Sequence, residues 1–471
     1  MRKIIILFSL LLTACTVGPD YTVPKLDLPG WWHAHVGGNA QKPPEAQDER
    51  KEPEAQQAEW WKEFHDTELD QLVRRALDGS PTVKTAVARI AEARGVRRAA
   101  NAGLFPQVDA SASAERLKPG FGDITAPQVS KPVNVEDAGF DASWEIDLFG
   151  VTRRRVEAAS ANIEARQADL HEAQITLIGD VARTYVEWLE YRQMADLTSA
   201  TAIAQRKLAD IAGRKYRAGA GSLFEVTQAE TLYKSTLAKV PPLEQQREAA
   251  GYQLSLLLGI PAGALNDELK AYTILPKPVA IPALSAPADT IRNRPDVQSA
   301  ERQLAAATAL TGSAIAQMYP QLTLSGMYGV EDTSLSSLTR VWTIAGGLTA
   351  PLFDFGLIQG GIDQAKAQQE EAYQQYRQTV LAAVSEIETD LSAVAKSNAQ
   401  AVASKEAADS AAATLSMAHR RFDKGISALT EVLDAETASY TARAAHMQAQ
   451  AQLLVDLISL HKALGSNALS D

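Results

Sequence analysis

Residues 214–231, RKYRAGAGSLFEVTQAET, return as residues 420–437, RRFDKGISALTEVLDAET, with Arg, Gly, Leu, Glu-Val and Ala-Glu-Thr in matching places and an offset of 206. Other pairs follow the same rule. SPTVKTAVARIAEARG from Ser80 answers RPDVQSAERQLAAATA from Arg294, and LFPQVDAS from Leu104 answers MYPQLTLS from Met318, both at an offset of 214. IDLFG from Ile146 answers LFDFG from Leu352 at 206, so an eight-residue length difference lies in a loop between these pairs. The chain is therefore two copies of one layout, and any fold has to be built twice.

Each copy reads as helix, two strands, long helix, turn, helix. In the second, Ile362, Ala365, Ala372, Tyr376, Val380, Ala383, Ile387, Leu391 and Val394 recur at helical spacing, with Gln369 as an exception, and no Pro interrupts the chain after Pro351. A helix of about 60 residues is about 90 Å long. Its partner in the first copy runs from about residue 151 to residue 217. Such helices expose an apolar stripe that neighbours must cover, and the many alanines on it permit close approach. A soluble all-helical bundle would satisfy this pattern alone.

The segments between the helices point elsewhere. Val108, Ala110, Ala112 and Ala114 alternate with Asp109, Ser111, Ser113 and Glu115, and Phe140, Ala142, Trp144, Ile146 and Leu148 alternate with Asp141, Ser143, Glu145 and Asp147. Residues 322–330 and 341–352 give a second, less regular pair. Period two over about 10 residues, apolar on one face and charged on the other, is the pattern of a membrane barrel strand with a wet interior. A half-buried soluble sheet alternates in the same way. Four strands cannot close a membrane barrel, because the smallest have about eight and an open edge in lipid leaves backbone groups unsatisfied. If the strands lie in a membrane, several chains share one barrel.

The N-terminus supplies an address. MRK, an apolar run too short to span a bilayer, and then LTAC form a signal peptide whose Leu12-Thr13-Ala14-Cys15 resembles a bacterial lipobox. Cys15 is the only cysteine, so no intramolecular disulfide can form. By that resemblance it carries acyl chains, and Thr16 fits transfer to the outer membrane. The net charge of −11 and the lack of long Lys/Arg runs exclude nucleic acid as a natural partner. His33, His35, His65, His171, His419, His446 and His461 show no HExxH spacing, and no hydrolase motif accompanies the acids, so neither an enzyme nor a metal site is expected.

The lipobox, the duplicated plan, RPDVQSAERQLAAATALTGSAIAQMYPQLTL and the repeated turn together resemble the TolC-like outer-membrane factors. CTVGPDYTVP and WWKEFHDTELDQLVRRAL resemble the OprM/NodT-type lipoprotein branch. The resemblance covers residues 15 to about 464. It implies a homotrimer, mainly α, whose four strands per chain close one 12-stranded β-barrel in the outer membrane, continued by an α-helical tunnel in the periplasm. The expected divisions are a signal peptide 1–14, an N-terminal lipidated segment 15–78, a first repeat 79–259 with strands about 105–117 and 137–150, a linker 260–286, a second repeat 287–464 with strands about 320–331 and 341–354, and a tail 465–471.

The resemblance further implies a passive duct of a tripartite efflux system. Its partners are a periplasmic adaptor and an inner-membrane pump of the RND or related type, and it needs no cofactor beyond the lipid on Cys15. The turns at Gly219 and Gly425, with Arg217 and Lys424, correspond to adaptor-docking tips. Glu431 and Asp434, three apart and so on one helix face, correspond to an acidic ring at the periplasmic gate. Glu225 corresponds to an acid tying the inner hairpin to the outer. Where the family pattern has Tyr and Arg latching the closed state, this chain has Phe422 and Ser427, leaving Arg217, Arg420 or Lys424 as substitutes. A pore-free periplasmic lipoprotein and the exit duct of a type I protein secretion system are the alternatives.

Overall fold

The computed structural model describes residues 16–25, 28–34, 59–118, 132–271, 274–279, 287–333 and 336–465. Cys15 and the signal segment lie outside them. Among the described residues, α1 (Thr67–Gly79) and α2 (Pro81–Ala102) lead into strands β1 (Gln107–Leu117) and β2 (Val133–Ile146). Helix α3 (Val151–Arg217), α4 (Leu223–Leu237) and α5 (Val240–Leu257) complete the first copy. The second copy runs α6 (Pro287–Asn293), α7 (Pro295–Ala316), β3 (Gln321–Thr333), β4 (Ser336–Thr349), α8 (Leu357–Asp423) and α9 (Leu429–Ala463). Both α3 and α8 have 67 residues, about 100 Å of helix. The chain divides into two compact units, each assembled from three stretches of sequence that draw on both copies.

One unit, residues 1–26, 88–168 and 298–378, contains the strands. They form an antiparallel sheet in the order β1-β2-β3-β4, so β2 and β3 join the two copies and β1 and β4 are its edges. The register places Ala110, Phe140, Tyr328 and Trp342 in one row, and Val108, Ala142, Gly326 and Ile344 in another on the same face. The opposite face carries rows such as Ser113, Asp137, Glu331 and Thr339. Ser111 Oγ donates to Asp141 at 2.7 Å, and Ser113 Oγ donates to Asp137. From the Ile146–Leu322 row to the Phe140–Tyr328 row the first face is apolar and the other largely polar, whereas further along Arg340, Glu136, Asp332 and Arg116 fall on the first face.

β2 and β4 both begin and end a few residues earlier than the alternation suggested. Asp147 accepts the N–H groups of Gly150 (2.9 Å) and Arg153 (2.8 Å), which turns the chain into α3 instead of extending β2. After β4, Pro351 has no N–H to offer a ladder.

The other unit, residues 27–87, 169–297 and 379–471, is helical. Asp66 caps α1 by accepting the N–H groups of Glu68 and Leu69, and the helix buries Leu69, Leu72, Val73 and Ala76 beside Trp60, Trp61 and Phe64. These pack with Ile178, Val181, Tyr185 and Leu189 of α3 and with Leu454 and Ile458 of α9 in one core. Buried Arg294 ties three elements together: it donates to Asp296 beside it, to Glu386 of α8 at 2.7 Å, and to the Ala463 carbonyl at the end of α9 at 2.6 Å. The copies differ in their returning helix. α9 is continuous for 35 residues, whereas its counterpart is split into α4 and α5 where Pro241 and Pro242, lacking N–H donors, must start a new helix. No described helix is long and apolar enough to cross a membrane.

Candidate functional site

The two repeated turns lie in the helical unit and have the same backbone solution. Gly219 donates to the Tyr216 carbonyl and Ala220 to Lys215, both at 2.9 Å; Gly425 donates to Phe422 and Ile426 to Arg421, both at 2.9 Å. Each glycine has φ 71°, the left-handed conformation that closes a helix with this pair of bonds. Behind the turns, Leu208, Ala209 and Ala212 of α3, Ala229 of α4, and Leu429, Val432 and Leu433 of α9 form a small core that Phe422 of α8 flanks. All four hairpin helices therefore meet near the tips.

The restarts differ. At the first tip Ser222 Oγ accepts the Glu225 N–H (3.2 Å), while the Glu225 carboxylate accepts the Ser222 N–H (3.0 Å), a reciprocal capping box. The second tip has Ala428 in the serine's place and no side-chain cap. Glu225 is thus committed to the start of its own helix, whereas Glu431, its counterpart, stands exposed. Asp434 is exposed one turn further on, at the edge of a groove of about 450 Å³ that also takes in Phe224, Thr227, Leu232 and Leu433. Arg217 borders a second groove of about 380 Å³ with Arg206, Arg214 and Lys234, balanced by Asp210 and Glu230. Lys424 is exposed, and Arg420 turns back along α8 to donate to Ser416 at 2.9 Å.

Two contacts escaped the sequence reading. The Lys215 ammonium lies 4.3 Å from the centre of the Phe422 ring, joining α3 to α8. His419 Nε2 lies 3.1 Å from Oε1 of buried Glu436, joining α8 to α9. The only sequence signal for the second was a His in the penultimate turn of α8 opposite an acid of the repeated motif.

In the sheet-bearing unit, the residues after Cys15 are fixed to the β2–α3 corner. Val17 donates to the Phe149 carbonyl at 3.1 Å, and Arg154, only 3% exposed, donates to the carbonyls of Val17 and Gly18 and to Asp20 at 2.8 Å. Cys15 itself is outside the described residues, but Thr16 packs close enough that a Cβ on Gly150 would sit 3.0 Å from its Cγ2.

The family model for outer membrane efflux proteins matches residues 72–260 and 286–466. The chain is 31% identical over 460 residues to nodulation protein T of Rhizobium leguminosarum bv. viciae, covering 97% of this chain and 91% of that protein. It is 29% identical over 469 residues to the pyoverdine export outer membrane protein OpmQ of Pseudomonas putida, covering 98% and 97%. Among solved structures, the outer-membrane channel OprN superposes with a TM-score of 0.83 at 30% identity, covering 96% of this chain and all of that one. A sheet with an apolar band on one face, duplicated long hairpins and these matches agree: the chain belongs to the outer membrane efflux protein family and is an efflux channel of the outer membrane.

Proposed function

We propose that three copies of this chain share one 12-stranded barrel and form the exit duct of a tripartite efflux system. The duct passively conducts what an inner-membrane pump and a periplasmic adaptor deliver. The observation that carries this reading is the four-stranded sheet with two edge strands and an apolar band on one face, which in lipid requires neighbours to pair its backbone. Cys15 carries the lipid, and the stapling of residues 17–20 to the β2–α3 corner keeps that lipid beside the end of the barrel. Glu431 and Asp434 from three chains ring the periplasmic aperture, while Arg217, Gly219, Lys424 and Gly425 present the docking tips. Selectivity belongs to the pump that feeds the duct.

The test is conductance in planar bilayers, together with a heat-sensitive oligomer on gels. Replacing Glu431 and Asp434 together by Ala should raise single-channel conductance or weaken block by polyvalent cations; conductance, selectivity and block all equal to the parent would remove the acid ring from the constriction. Cys15→Ser should lose palmitate labelling while the barrel stays in the membrane, and labelling that persists would refute the lipid assignment.

A further inference from the structure

The internal duplication puts two corners up for comparison. Where β2 enters α3 the chain reads Ile146-Asp147-Leu148-Phe149-Gly150, and where β4 enters α8 it reads Leu352-Phe353-Asp354-Phe355-Gly356, 206 positions on. Ahead of the strands, Phe105 before β1 answers Tyr319 before β3 at the offset of 214. In the first corner Phe149 stacks on Tyr319, with ring centres 4.8 Å apart and planes at 24°. This aromatic pair seals the end of the β2–β3 pairing. The second corner has the same parts without the cover: Phe355 is 103% exposed, Phe353 90%, and Phe105 66%. Phe105 flanks edge strand β1 and Phe355 flanks edge strand β4, three strand spacings or about 14 Å across the sheet, so they do not meet within one chain.

The second corner is also wound differently. Its capping acid, Asp354, comes one position later than Asp147 does and accepts the N–H groups of Gly356 (3.1 Å) and Ile358 (2.8 Å). Phe355 takes φ 53°, a left-handed conformation uncommon for an aromatic residue, while its side chain stands fully exposed among the described residues. We infer that this corner is a docking surface for a second copy of the chain, and that Phe355 stacks on Phe105 of that copy as Phe149 stacks on Tyr319 within one. An aromatic ring buries about 150–250 Å² when covered and gains further from an offset stack, so the pair is a strong anchor for the seam. Carrying the Ile146–Leu322 pairing across by the same offsets sets Leu352 beside Val108 of the next copy, two more exposed apolar residues. The inference rests on the shared-barrel reading and specifies its seam.

The test is cross-linking between differently tagged chains co-expressed in one cell, one carrying Phe355→Cys and the other Phe105→Cys, treated in membranes with a short bifunctional thiol reagent. The parent, whose single cysteine is Cys15, is the blank, and one chain with both Phe149→Cys and Tyr319→Cys calibrates the yield. A mixed-tag dimer at a yield within about twofold of the calibration pair, and at least tenfold above Phe355→Cys alone, is expected. An oligomer that persists on native gels without the mixed dimer, or Phe355→Cys chains linking to each other, would overturn the seam while leaving the shared barrel standing. A parent monomeric in detergent would overturn both. As an independent readout, Phe355→Ala should lower the dissociation temperature of the oligomer and Phe355→Tyr should not; equal temperatures for Ala and parent would also refute the pairing.

Discussion

Lys215 in the last turn of α3 holds its ammonium over the ring of Phe422 in the last turn of α8, 4.3 Å from the ring centre. The phenylalanine occupies the place where the resemblance leads one to look for a tyrosine hydroxyl, and its face serves a cation instead. A cation–π contact at an exposed site contributes about 0.5–1 kcal/mol, enough to bias two neighbouring hairpins without locking them. Lys215→Met should therefore raise the open probability in planar bilayers by roughly two- to fivefold. Phe422→Tyr should leave it unchanged, because the ring face survives. Phe422→Ala combined with Lys215→Met should add little to either alone, and strict additivity in that cycle would show that the two residues do not act as a pair.

The asymmetry of the tips gives a second expectation. Ala428 has the extended backbone of an N-cap, φ −74° and ψ 158°, and lacks only the side-chain oxygen that Ser222 supplies at the first tip. Ala428→Ser should complete a capping box with Glu431 and stabilise the start of α9 by about 0.5–2 kcal/mol. Amide exchange over residues 429–432 should slow by roughly two- to thirtyfold. Ser222→Ala should speed exchange over residues 223–226 to a comparable extent. Unchanged protection in both variants would mean that the capping box contributes nothing to these tips.

Much of this architecture was legible because duplication makes each copy a check on the other: helix α3 was expected from about residue 151 to residue 217 and is found there. What local pattern missed was decided by contacts between distant parts. Alternation alone could not locate the end of β2, because Asp147 continues the alternating pattern while its carboxylate caps α3. The break between α4 and α5 was written in Pro241 and Pro242, but the continuous second copy encouraged a single helix. At the tips, Glu225 and Glu431 are the same letter in the same motif. Only the residue three positions before each, Ser222 or Ala428, determines whether the carboxylate is held by a helix end.

Gly139 and Gly329 are directly paired across β2 and β3, and each occupies space a methyl group cannot share. A Cβ on Gly139 would sit 2.9 Å from the Tyr328 carbonyl oxygen, and one on Gly329 would sit 2.7 Å from that of Ala138. Both obstacles are backbone atoms, so the strands themselves must move. Gly329→Ala should cost about 1–3 kcal/mol and lower the dissociation temperature of the oligomer on semi-native gels. Gly326→Ala is the control, because its nearest neighbour is the Thr343 carbonyl at an ordinary 3.7 Å. Equal losses from the two substitutions would point to general strand propensity and not to close approach.

His461 of α9 stacks on Trp60, ring centres 4.9 Å apart and planes at 8°, is 2% exposed, and has no hydrogen-bond partner for Nε2 among the described residues. Burial pushes its pKa down to about 4. Between its ordinary value of about 6.5 and that depressed one, the unfolded chain binds more protons than the folded chain, so this residue's contribution to stability is lost as pH falls through the window. Glu190 of α3 acts in the opposite sense: burial and then Glu187 push its pKa up to about 7, so the folded state loses stability as pH rises from about 4 to about 7. His461→Phe keeps a ring against Trp60 and removes the proton site. Its advantage over the parent should therefore be larger at pH 4.5 than at pH 8, by about 2–3 kcal/mol, read from the thermal midpoint of helical circular dichroism in detergent. Glu190→Gln should show its gain at pH 8 instead, about 1 kcal/mol once solvent screening at this half-buried site is allowed for. If the parent and His461→Phe lose stability in parallel between pH 6.5 and 4.5, the acid sensitivity arises elsewhere and the Trp60–His461 stack is only packing.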